Sequence, residues 1–120
     1  MTTESRGSAP PEERLKRYIR SIPDFPVKGI LFRDITPLLA EPAAMQTAVA
    51  AMLAPFAGES IDGVAGIEAR GFIFGALIAD RLGKPFIPVR KQGKLPYETY
   101  RVDYDLEYGQ ASLEIHRDAV

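Results

Sequence analysis

Cysteine is absent from the 120 residues, and histidine occurs once, at His116. The first absence excludes disulfides, thiol nucleophiles and cysteine-ligated metals. A single histidine cannot build a histidine metal site. An excess of one charge is missing as well. Fifteen Lys and Arg stand against sixteen Asp and Glu, for a formal net charge of −1. Such a balance argues against a general nucleic-acid or membrane-surface binder. No apolar run is long enough to cross a bilayer and no signal-peptide pattern is present, so a soluble cytoplasmic protein is expected. Internal repeats and low-complexity segments are absent too.

The length is that of one domain. Residues 1–10 are polar and are expected to form a disordered tail, with residues 11–120 a single domain. Pro11 suits a first helical turn, and Leu15, Tyr18, Ile19 and Ile22 follow at helical spacing until Pro23 and Pro26 end the helix. Residues 26–37 read as a structured loop holding a short extended piece, Ile30-Leu31-Phe32. Glu41-Pro42 opens a second helix whose apolar face is Met45, Val49, Met52, Leu53 and Phe56. A strand is expected over 62–67 and a helix over 71–82, with Phe74, Leu77, Ile78 and Leu82 inward. Gly83 caps that helix and Pro85 stops it. A second strand over 85–89 completes a βαβ unit with a parallel pair. After a basic loop, 103–108 form an extended arm and 111–115 a strand with one wet face, which leaves His116 facing solvent. The fold class is α/β, a mostly parallel sheet flanked by helices.

Chemistry concentrates at four places. Gly66-Ile67-Glu68-Ala69-Arg70-Gly71-Phe72 delivers an arginine to the carboxyl end of a strand just before a helix begins. Ligands bind at that end of an α/β sheet, and a helix amino terminus attracts anions because its first N–H groups lack partners. The Arg70 fork suits phosphate oxygens. An ordinary βα turn with a solvated arginine explains the pattern equally well, and Gly71 and Gly75 then serve only close packing. Five cations (Lys84, Arg90, Lys91, Lys94, Arg101) and one anion (Glu98) fall between 84 and 101. The stretch Arg90–Pro96 within it is either a solvated surface loop or a lid that closes over an anion, with Gly93 as a hinge. Asp105–Gly109 holds two carboxylates and Tyr108, which make either a polar turn or a carboxylate beside an oxocarbenium-like centre. Phe25–Asp34 is a packing loop with an Arg–Asp pair, or an apolar slot for a flat ring.

Taken together, the segments FPVKGILFRDITPLL (25–39), GIEARGFIFG (66–75), PVRKQGKLP (88–96) and YDLEYGQASLEIHRDA (104–119) resemble the adenine phosphoribosyltransferases, type I phosphoribosyltransferases of purine salvage. The resemblance implies a type I phosphoribosyltransferase fold with a small hood. It also implies a pentosyl transfer: adenine and phosphoribosyl pyrophosphate give AMP and pyrophosphate. Glu68, Ala69 and Arg70 would form the pyrophosphate loop, in which the family often carries a non-proline cis peptide. Arg90, Lys91 and Lys94 would belong to the loop closing on the phosphates. Leu31, Phe32 and Arg33 match the adenine-binding segment. Glu107 matches the carboxylate near the purine imidazole edge and Tyr108 its neighbouring hood tyrosine, the catalytic pair. Mg²⁺ would be held mainly by substrate oxygens and water, with no protein metal ligands. A homodimer is the family habit.

The family signature for the ribose 5-phosphate, paired acidic residues followed by a Thr-Gly-Gly-Thr-type loop, is expected beyond residue 120. The chain is therefore expected to be an amino-terminal portion truncated before that loop, and inactive alone. Two other readings stay open: a phosphoribosyltransferase-like ligand sensor or regulator, and a sibling enzyme for another purine.

Overall fold

The computed structural model describes residues 10–120, so the expected tail, apart from Pro10, lies outside the described residues. Two compact units form, Met1–Ala57 and Gly58–Val120.

In the first unit, α1 (Pro11–Lys16) starts with Pro11 in its first turn and carries Glu12 and Glu13 there, which suits the positive end of the helix dipole. It ends sooner than its apolar spacing predicts. Tyr18 and Ile19 donate to the Leu15 and Lys16 carbonyls, and the chain then turns extended. Residues Arg20–Pro23 form β1, which pairs antiparallel with β2 (Leu31–Asp34), Ile22 opposite Phe32 and Pro23 opposite Leu31. Cross-strand pairing has overridden the helical pattern, and Pro23 closes a strand rather than a helix.

The connecting turn places Asp24 at φ 59° and Gly29 at φ 92°, with the Asp24 carboxylate accepting the Gly29 N–H at 2.8 Å. Phe25 and Phe32 meet edge to face, 5.1 Å between centroids. Asp34 then accepts the Thr36 N–H (2.9 Å) and hydroxyl, and so starts the short α2 (Thr36–Leu39). The long helix α3 (Pro42–Leu53) buries Ala44, Ala48 and Val49. Met52 and Phe56, expected on its inner face, are instead exposed. The helix is apolar nearly all round, so periodicity could not select its inner face; small alanines permit the closer packing.

In the second unit, β3 (Val64–Ile67) pairs parallel with β4 (Phe86–Lys91) through α4 (Arg70–Leu82). Gly83, at φ 68°, is the left-handed cap of α4. The sheet order is β3-β4-β6-β5, where β5 (Thr99–Asp105) and β6 (Gln110–His116) form a hairpin and β4 pairs antiparallel with β6. The α/β class with helices beside a sheet is as read from the sequence. The sheet itself is mixed rather than mostly parallel, because the arm after the basic turn folds back as a hairpin along β4.

β5 begins at Thr99, earlier than expected, and β6 is half-buried along Ala111–His116 instead of alternating. An inner strand flanked on both edges has no wholly wet row. His116 is accordingly half-buried rather than solvent-facing, and its Nε2 accepts the Tyr97 N–H at 3.3 Å.

Close approach of α4 to β3 depends on glycine. A side chain at Gly66 would strike the Gly71 carbonyl, and one at Gly75 would lie 2.5 Å from the Phe86 ring. Gly75 and Ala79 are therefore the buried positions of α4, while Leu77, expected inward, is exposed. No helix among the described residues is long and apolar enough to cross a membrane.

Candidate active site

The parallel ladder carries the carboxyl ends of β3 and β4 to one level. Ile67 stands opposite Val89, and the Glu68 N–H donates to the Val89 carbonyl at 3.1 Å, so the next residues, Glu68 and Arg90, lie side by side. One oxygen of the Glu68 carboxylate accepts two bonds, from Arg90 Nε at 3.0 Å and from the Lys91 N–H at 3.1 Å. The Arg90 guanidinium also lies 5.9 Å from the centre of the Phe72 ring, on the first turn of α4. The bond from the Lys91 N–H, with the hydrogen bond and positive charge of Arg90, holds the Glu68 carboxyl below its ordinary value against the opposing effect of burial.

The Glu68–Ala69 peptide is cis, as the family resemblance implied. Arg70 opens α4 at once, and the Phe72 N–H donates to the Ala69 carbonyl (3.1 Å). An open cavity of about 710 Å³ lies between β3, the outermost strand of its sheet, and α4; Glu68, Ala69, Arg70, Phe74 and Ile78 are among its walls. Arg90 and Lys91 do not line it, so the cavity and the paired cations share only the 68–71 loop.

From Lys91 the basic turn folds on itself. The Lys94 N–H donates to the Lys91 carbonyl, and Gln92 extends the ladder with a bond to the Ser112 carbonyl. Gly93 takes φ 83° and donates its N–H to the Glu114 carboxylate at 3.2 Å. Lys91 and Lys94 themselves are exposed.

Glu107 and Tyr108 sit at the tip of the β5–β6 hairpin, closed by a bond from the Leu106 N–H to the Gly109 carbonyl. Lys91 stands opposite Leu113, and β6 begins three residues earlier, so the tip extends past the carboxyl end of β4. At ~3.3 Å per strand residue that overhang is on the order of 10 Å. Both residues are exposed, Tyr108 at 89 %.

The structure thus brings Glu68, Arg70, Arg90 and Lys91 to one sheet end, with Lys94 on the adjoining turn and Glu107 and Tyr108 on the arm beyond. Leu31, Phe32 and Arg33 belong to β2 of the first unit. Leu31 is exposed and Phe32 half-buried, and Arg33 Nη1 donates to the Ser21 hydroxyl at 2.6 Å.

Sequence reasoning missed Glu114 and Phe72, which hold the basic turn and Arg90. Only the register of β4 on β6, Arg90 opposite Glu114, reveals the first of them. No group of three or more metal-ligating side chains occurs among the described residues.

No family model matches the chain. Among curated proteins, the adenine phosphoribosyltransferase of Methylococcus capsulatus is 60% identical over 108 residues, which is 90% of this chain and 63% of that protein. The Thermobifida fusca enzyme of the same name is 58% identical over 106 residues, 88% of this chain and 60% of its own length. Among solved structures, the adenine phosphoribosyltransferase of Rhodothermus marinus superposes with a TM-score of 0.85 at 50% identity, covering 92% of this chain and 62% of the other. That of Saccharomyces cerevisiae, complexed with adenine and an imino-altritol bisphosphate, gives 0.85 at 38% identity, covering 92% and 65%. The chain spans about three fifths of the length of the curated relatives it matches. Over that span, in sequence and in fold, it is similar to the adenine phosphoribosyltransferases.

Proposed function

We propose that the protein transfers the phosphoribosyl group from phosphoribosyl pyrophosphate to adenine, releasing AMP and pyrophosphate. One observation carries this reading. Glu68 ties Arg90 and the start of the basic turn to the loop that opens α4 with Arg70, so that cations gather at a single strand end. Breaking the bond from the ribose carbon to pyrophosphate builds negative charge on the leaving group. Fixed cations and the amino end of α4 stabilise that charge with little reorganisation. Arg70, Arg90, Lys91 and Lys94 take that role, and Ala69 gives the loop its backbone. Glu107 and Tyr108, on the arm past the strand end, serve the oxocarbenium-like ribose and the incoming base. Leu31, Phe32 and Arg33 recognise adenine, a role that the likeness of their segment to the adenine phosphoribosyltransferases supports.

Mg²⁺, when bound, would neutralise phosphate charge while resting on substrate oxygens and water. A cytoplasmic homodimer acting on small molecules, and on neither nucleic acid nor membranes, completes the proposal.

The test is AMP formation by the full-length protein, followed chromatographically with adenine, guanine and hypoxanthine in competition. Preferential AMP formation is expected. Ligand affinity without turnover would replace the enzyme by a sensor, and preference for another base would replace adenine.

A further inference from the structure

A carboxylate in an anion-binding loop needs explaining, because it repels the phosphate its neighbours attract. Glu68 is that carboxylate. Its side chain is only 17 % exposed, and it spends one oxygen on two bonds from consecutive residues, Arg90 Nε and the Lys91 N–H. Arg90, 35 % exposed, is met on another side by the Phe72 ring. Residues 68 and 72 flank Arg70, so the loop before α4 and the first turn of α4 together hold a single guanidinium from the neighbouring strand.

The choice of atom matters. The guanidinium is planar with five donors, and Glu68 takes Nε. The terminal amino groups of Arg90 stand outside that bond, available to a forked acceptor such as a phosphate. A long, rotamer-rich side chain already held at Nε has less freedom to lose when its amino groups bind.

We propose that Glu68 is a positioning residue: it sets the Arg90 guanidinium and the root of the basic turn so that the Arg90 amino groups meet the pyrophosphate end of the substrate. This rests on the phosphoribosyl-transfer reading above and assigns Glu68 no contact with substrate. A merely structural staple would be redundant here, because β3 and β4 are already joined by their own ladder up to Glu68 itself.

The experiment uses the full-length protein with Glu68→Gln, Glu68→Ala, Glu68→Asp, Arg90→Ala and the double variant Glu68→Ala/Arg90→Ala. Pyrophosphate affinity is read by calorimetry, and KM for phosphoribosyl pyrophosphate and for adenine are read separately from kcat. Glu68→Ala is expected to weaken pyrophosphate binding and raise the KM for phosphoribosyl pyrophosphate about ten-fold, the effect of mis-setting one charge-assisted contact. The KM for adenine stays unchanged. Glu68→Asp recovers part of the loss, and the double variant is no worse than Arg90→Ala alone. Glu68→Gln keeps an acceptor and the side-chain volume, and serves if the alanine variant does not fold. Additive losses in the double variant, unchanged affinity in both Glu68→Gln and Glu68→Ala, or tighter binding in either would overturn the assignment while leaving the transfer reaction standing. A wild-type protein that binds neither pyrophosphate nor phosphoribosyl pyrophosphate would overturn both.

Discussion

Gly93 donates its N–H to Glu114, the residue that stands opposite Arg90 in the β4–β6 ladder. The tip of the basic turn is therefore fastened to the same sheet as its root, by a carboxylate of β6. Removing that acceptor with Glu114→Ala should cost at most about 1 kcal/mol of global stability, because the site is not deeply buried. It should instead free the turn locally. Faster amide exchange at Gly93 and Lys94, with the β5–β6 amides unaffected, is the expected outcome; uniform acceleration across the hairpin would contradict it.

The glycines between β3 and α4 should rank by what a new methyl group would meet. At Gly66 it meets the Gly71 carbonyl, at Gly75 the Phe86 ring, and at Gly71 the Gly66 backbone at 3.3 and 3.4 Å, a tight approach that a shift of a few tenths of an ångström relieves. Gly66→Ala should destabilise most, by about 3 kcal/mol or more, since backbone must move. Gly75→Ala should follow, with Gly71→Ala the mildest of the three. Urea unfolding of the full-length variants measures the order.

Two carboxylates make stability acid-sensitive. Asp34 is held below its ordinary 3.8 by the Thr36 N–H first, then by the Thr36 hydroxyl and Arg20. Glu68 is held below its ordinary 4.5 by the Lys91 N–H first, with help from Arg90. A depressed folded value stabilises the protein above the ordinary value, and that contribution disappears as pH falls through the folded one. Stability should therefore drop below about pH 4.5, where the unfolded carboxyls begin to take up protons. Asp34→Asn and Glu68→Gln should each flatten the fall, and chemical denaturation at stepped pH reads the slope.

Glu107 and Tyr108 are exposed at the hairpin tip, so their substitution should leave folding intact. If they serve the reacting centre, Glu107→Gln should lower kcat by about ten- to a hundred-fold with the KM for phosphoribosyl pyrophosphate nearly unchanged, and Tyr108→Phe should lower it less. Steady-state kinetics of the full-length variants separates the two constants; a change confined to KM would assign the pair to binding alone.

What the sequence made legible followed local signals. Pro11, Gly83 and the 62–67 run marked a helix start, a helix cap and a strand, observed as Val64–Ile67, because each needs only its neighbours in the chain. The Glu-Ala-Arg-Gly loop was legible for the same reason. The failures were decided at a distance. Ile22 carries a helical pattern yet pairs with Phe32, and the strand won because its partner lies ten residues on. The inner face expected of α3 failed at Met52 and Phe56, which are exposed while Ala44 and Ala48 are buried, since alanine suits either side. The bonds from Arg90 to Glu68 and from Gly93 to Glu114 depend on strand register, which no spacing of residue types specifies.

The hairpin arm that carries Glu107 and Tyr108 is ruled by a single turn. Leu106–Gly109 alone sets seven consecutive cross-strand pairs, from Asp105 opposite Gln110 to Thr99 opposite His116. Side chains alternate faces with a period of two, so adding one residue to either strand would turn half the arm inside out. Adding one to each strand beside the turn would lengthen the arm by one full pair and keep the rest in register. The arm thus behaves as a ruler graduated in pairs, whose reach can be reset from its tip without rewriting the sheet beneath it.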